Sequence, residues 1–121
     1  MHYFTSPKEK VYFALSYPWS YEENDQYFSK LEQKFSKPNS ELIYFHRQTL
    51  TLSKQGRNVD MFTLSSKYGI DKKKVFNKID KNLFPDASQK PTNIFPEKQV
   101  LLFLGRINPG DTPGSWIIKG I

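Results

Sequence analysis

Two β-prone runs separated by a glycine turn constrain this chain more than any other feature. Leu42 to Leu52 reads Leu-Ile-Tyr-Phe-His-Arg-Gln-Thr-Leu-Thr-Leu, rich in β-branched and aromatic residues. Ser53-Lys54-Gln55-Gly56 follows, with Gly56 placed for a positive φ. Asn58 to Ser65 then alternates polar and apolar residues up to Met61-Phe62. Such a pattern predicts a β-hairpin over 42–65.

Upstream, Ser20-Tyr21-Glu22-Glu23 matches a capping box. Tyr27, Phe28, Leu31 and Phe35 follow at helical spacing and form one apolar stripe, and Lys34 suits the C-terminal dipole. Pro38 stops the element, so an N-terminal amphipathic helix is expected over about 21–36. Residues 1–10 are a polar lead-in. Val11 to Ser16 is a short apolar, β-prone run and reads as a strand, broken by Tyr17-Pro18-Trp19.

Downstream, Gln99 to Gly105 contains an unbroken apolar run, Val100 to Leu104. It predicts a strand over 98–105 buried on both faces. The fold class expected is therefore α/β: one helix and a mixed sheet made of the hairpin plus a buried strand. Residues 66–97 form a long polar connection. Within it Asp71 could cap a short helix carrying Val75, Phe76 and Ile79, with Lys72-Lys73-Lys74 on its solvated side. Leu83-Phe84-Pro85-Asp86, Pro91 and Pro96 punctuate the rest. Gly114 to Ile121 reads as the first turns of another helix.

Composition narrows the function classes. The chain has 121 residues, which predicts one domain. Its 10 Phe and 7 Tyr argue against a disordered tail. No cysteine is present, which excludes disulfides and thiolate metal sites. The longest apolar run is far below the roughly 20 residues of a membrane span, so no membrane association is expected, and no secretory signal is visible. The formal net charge is +6, from 18 basic and 12 acidic residues. Only three of the basic residues are Arg, the usual reader of phosphates and base edges, so no nucleic-acid partner is expected. The basic surface either stays solvated or meets an acidic partner.

Chemistry-bearing residues concentrate in the loop Arg106-Ile107-Asn108-Pro109-Gly110-Asp111-Thr112-Pro113. It offers a cation (Arg106), an amide (Asn108), a carboxylate (Asp111) and a hydroxyl (Thr112), just before a helix N-terminus. Loops at strand ends of open α/β sheets often carry ligands. The alternative is a capped loop in which Asp111 or Thr112 is the helix N-cap. His46 lies among aromatics and reads as a packed histidine, while His2 is terminal. No catalytic residue is assigned from the pattern, because no phosphate loop, nucleophile elbow or paired-carboxylate signature occurs.

Four segments, in order, resemble the cytosolic carboxypeptidases of the zinc carboxypeptidase superfamily. They are Tyr12 to Tyr21; Ile43 to Arg47 with Gly56 to Leu64; Leu83 to Asp86; and Phe103 to Trp116. The resemblance implies that residues 1–19 are the end of an amino-terminal β-sandwich domain. It implies that 20–121 are the first third of an α/β catalytic domain, a partial zinc-carboxypeptidase-like sheet. Zinc is the cofactor it implies, and the reaction is removal of glutamates from tubulin. In the family the turn reads His-Pro-Gly-Glu, and its His and Glu bind zinc. The matching positions here are Asn108 and Asp111, both altered, with Arg106 and Thr112 flanking them as binding candidates. The family's third ligand, substrate-holding arginine and general-base glutamate lie downstream of the region matched. The resemblance thus implies a fragment or degenerate member that is not a peptidase alone; the other expectation is a non-catalytic structural module. The partners it implies are tubulin or another Glu-rich protein, with a further partner covering the open sheet edge. The setting it implies is cytoplasmic, on microtubules or in a cilium.

Overall fold

The computed structural model describes residues 3–36, 42–76, 80 and 82–121. It is a small mixed α/β fold with the element order α1 (Tyr21–Phe35), β1 (Ile43–Leu52), β2 (Asn58–Ser66), β3 (Asp71–Val75), β4 (Asn93–Ile94) and α2 (Thr112–Gly120). The chain divides into two compact units, Asp25–Leu101 and the pair of segments Met1–Asn24 with Leu102–Ile121.

The hairpin organises the Asp25–Leu101 unit. β1 and β2 pair antiparallel from Ile43↔Ser66 to Leu52↔Asn58, with an irregularity between Thr49 and Thr51. Gly56 takes φ +72, as the turn requires, and its N–H donates to Ser53 O at 2.9 Å. Because side chains alternate along a strand, β1 shows two different faces. Phe45 and Arg47 meet α1: Phe35 stacks on Phe45 at 5.4 Å between ring centroids, and Phe28 stacks on Phe62 at 3.8 Å. This face is the apolar part of the unit, and Phe28 is its buried residue.

Tyr44, His46 and Gln48 project to the other face and meet residues 89–95. The Asn93 N–H donates to Tyr44 Oη (3.0 Å), and the Thr92 N–H donates to Gln48 Oε1 (3.1 Å). His46 Nε2 lies 2.8 Å from Lys90 O, where an N–H on that nitrogen donates to the carbonyl. Gln89 Oε1 accepts from Thr49 N–H at 2.7 Å. Gln48, Thr49 and Thr92 are all buried, so enclosed polar bonds hold this loop down, together with an edge-on contact of the Tyr44 and Phe95 rings at 5.1 Å. His46 is the packed histidine the pattern suggested.

Three expectations need correction. The helix considered after Asp71 is a strand: β3 pairs with β4 at Asp71↔Ile94 and Val75↔Asn93, with a bulge between. Asp71 Oδ1 does accept from the N–H groups of Lys73 and Lys74, as a helix cap would. Those bonds instead shape the bulge, because Asn93–Ile94 supplies a ladder. Ile79 and Pro38 lie outside the described residues.

The buried strand over 98–105 does not form. Residues 99–105 have no ladder, and Val100 and Leu104 are 87% and 71% exposed. An apolar run becomes a strand only when neighbouring strands accept its N–H and C=O groups. Among the described residues each sheet has two strands, and neither takes it in. The strand over 11–16 fails for the same reason: Tyr12 and Phe13 are exposed and unpaired in any sheet.

Candidate functional site at the 105–112 turn

The second unit, Met1–Asn24 with Leu102–Ile121, carries the turn. Its helix α2 starts at Thr112, two residues before the expected Gly114, with Pro113 in the first turn. Proline fits there because its missing N–H is an unused donor. Asp111 occupies the N-cap position, but its side chain makes no capping hydrogen bond. The turn closes through backbone bonds: Asp111 N–H to Asn108 O and Thr112 N–H to Gly110 O, both 3.0 Å.

Arg106 sits at φ +55, a conformation that side chains other than glycine rarely adopt. Its guanidinium folds back over the turn. Nε donates to Pro109 O at 3.1 Å, and Nη1 donates to Trp19 O at 2.5 Å. Thr112 Oγ1 shares a 2.7 Å hydrogen bond with Ser16 Oγ. Both flanking candidates, Arg106 and Thr112, therefore bind this chain's own groups.

Trp19 anchors the surrounding layer and is 6% exposed. Its indole N–H donates to Asn24 Oδ1 at 3.0 Å, and its ring meets Trp116 edge-on at 4.7 Å. Trp116 Nε1 donates to Tyr17 O at 3.1 Å. Lys119 Nζ lies over both rings, 5.0 Å from Trp19 and 4.6 Å from Trp116. The sequence reading missed this aromatic layer. Its signal was the i,i+3 spacing of Trp116 and Lys119, which puts them on one helix face.

Asn108 and Asp111 are both exposed. Zinc is normally held by three or four ligands drawn from His, Cys and carboxylates. Here the two positions offer a neutral amide and one carboxylate. Among the described residues no group of three His, Cys, Asp or Glu side chains converges on a metal-sized space. The residues present do not fit a zinc ion. Among the described residues no helix is long and apolar enough to cross a membrane.

No family model matches the chain. Individual relatives do. It is 36% identical over 118 residues to cytosolic carboxypeptidase-like protein 5 of Danio rerio, and 34% identical over 116 residues to that of Bos taurus. Each match covers 91% of this chain and 13% of the relative. Cytosolic carboxypeptidase 6 of Mus musculus is 28% identical over 109 residues, covering 90% of this chain and 15% of the relative. The chain thus spans a small part of the length of the curated relatives it matches.

Proposed function

Because the chain belongs to the cytosolic carboxypeptidase family, we propose that it is a non-hydrolysing homologue that binds Glu-rich proteins such as tubulin. One observation carries the first half of this reading. The turn that resembles the family's His-Pro-Gly-Glu is exposed, and it bears Asn108 and Asp111 instead of an imidazole and a glutamate. A neutral amide oxygen is a poor zinc ligand, and metal-assisted hydrolysis needs a polarising metal with a water beside it. In this reading residues 1–19 correspond to the end of the β-sandwich domain and 20–121 to the opening of the catalytic domain.

The second half is supported by charge. Lys72, Lys73 and Lys74 stand exposed on β3, and the net charge is +6. A basic strand of this kind attracts acidic tails without needing a metal. The setting that fits is the cytoplasm, on microtubules or in a cilium.

The test incubates the purified chain with zinc chloride and glutamylated tubulin and measures released glutamate. No release above buffer is expected, and release would refute the non-hydrolysing reading. Cosedimentation with microtubules tests the binding half. Binding should fall when the acidic tails are removed; unchanged binding would sink tail recognition.

A further inference from the structure

We propose that the 105–112 turn of this chain is held in shape by Arg106 instead of a metal ion, and that the turn does not take up zinc. The inference extends the non-hydrolysing reading above and rests on its view of Asn108 and Asp111 as altered ligand positions.

The left-handed φ of Arg106 is the starting observation. Such a conformation persists only where the surroundings impose it. Here the surroundings are visible. The side chain spans two carbonyls, Pro109 O inside the turn and Trp19 O outside it. A guanidinium suits this task because its donors are fixed in a plane and always charged.

The backbone around Arg106 is equally confined. A Cβ on Gly114 would lie 2.9 Å from Arg106 N, so only glycine lets α2 approach this closely. A Cβ on Gly105 would lie 3.1 Å from Gly114 O. At the other end of the turn, Ser16 and Thr112 join through their hydroxyls. Every one of these contacts is made by this chain's own atoms. The two positions where the resemblance places zinc ligands close the turn through their backbone. Asn108 enters through its backbone carbonyl and Asp111 through its backbone N–H.

The experiment uses the full chain. It is dialysed against zinc chloride and then against metal-free buffer, and bound metal is measured by emission spectroscopy. Amide exchange at residues 107–112 is followed with and without EDTA. Substoichiometric zinc and chelator-independent protection are expected. Retention of about one equivalent, or protection lost on adding EDTA, would overturn the proposal. In Arg106→Gln, protection of 107–112 should fall by about tenfold or more, with a smaller fall in Arg106→Lys, which reaches only one carbonyl. Unchanged protection in Arg106→Gln would overturn the clamp. The wild-type chelator comparison remains decisive even where a variant does not fold. Retained zinc without glutamate release would overturn this inference alone. Glutamate release without retained zinc would overturn the non-hydrolysing reading alone.

Discussion

Arg47 and Asp60 are joined diagonally across the β1–β2 ladder, with Arg47 Nε at 3.1 Å and Nη2 at 2.6 Å from the same carboxylate oxygen, Asp60 Oδ2. The Arg47 side chain is 12% exposed and that of Asp60 8%. Asp25 of α1 also receives Nη2, at 2.5 Å, and Ser29 receives Nη1. Burial works against the Arg47 charge, yet the bonds to Asp25 and Asp60 outweigh it and hold its pKa above the ordinary value. The guanidinium therefore stays charged between helix and hairpin.

Asp60→Ala should be the costlier of the two carboxylate truncations. It leaves a mostly buried cation short of its enclosed partner, a loss of about 2–3 kcal/mol. Asp25 is half exposed, and water replaces its contribution, so Asp25→Ala should cost about 1 kcal/mol or less. Urea midpoints of the two variants check the order, and equal midpoints would refute it.

The capping box links Ser20 and Glu23: the Glu23 N–H donates to Ser20 Oγ at 3.0 Å, and the Ser20 N–H donates to Glu23 Oε2 at 2.7 Å. Ser20→Ala should destabilise α1 by about 1 kcal/mol. The Ser20 backbone N–H, followed by its side chain, holds the Glu23 carboxyl below its ordinary value of 4.5. The unfolded chain therefore binds this proton more readily than the folded one. Stability from Glu23 is present in full above 4.5 and is lost as pH falls through the lower folded value. Amide protection at residues 21–25, taken relative to the intrinsic exchange rate at each pH, should fall in that acid window, and Glu23→Gln should remove this part of the dependence.

Gly56 and Gly114 separate two reasons for glycine. At Gly56 nothing lies within 4 Å of an added Cβ, and only the φ of +72 resists it. Gly56→Ala should cost about 1 kcal/mol. At Gly114 the added Cβ would meet the Arg106 backbone at 2.9 Å, which cannot rotate away as a side-chain end can. Gly114→Ala should therefore disturb the 105–112 turn, seen as increased exposure of Trp116 to a fluorescence quencher. Unchanged quenching would count against the close approach.

Tyr44→Phe removes one oxygen from the polar face of the hairpin. Tyr44 Oη accepts from Asn93 N–H and bonds Thr92 Oγ1 at 3.1 Å. The orphaned N–H should cost about 1–2 kcal/mol. Faster amide exchange at residues 92–94, with protection of β2 unchanged, is the expected signature.

The elements legible in the sequence are those whose stabilising contacts lie close along the chain. The capping box, the Tyr27-Phe28-Leu31-Phe35 stripe and the Gly56 turn each involve residues a few positions apart, and α1, β1 and β2 appear where the pattern puts them. The turn at Asn108–Asp111 and the helix after it were legible for the same reason. Tertiary structure decided everything that needed a distant partner. Residues 71–75 became a strand because Asn93 and Ile94 lie beside them. Val100 to Leu104, the most strand-like run by composition, stays outside both sheets because neither offers it a neighbouring ladder. Arg106 and Thr112 read as free binding groups until the fold brought Trp19 and Ser16 to them, 87 and 96 residues away in sequence. Local bonds follow from residue spacing, whereas a hydrogen bond across most of the chain exists only once folding has met the entropy of closing that loop.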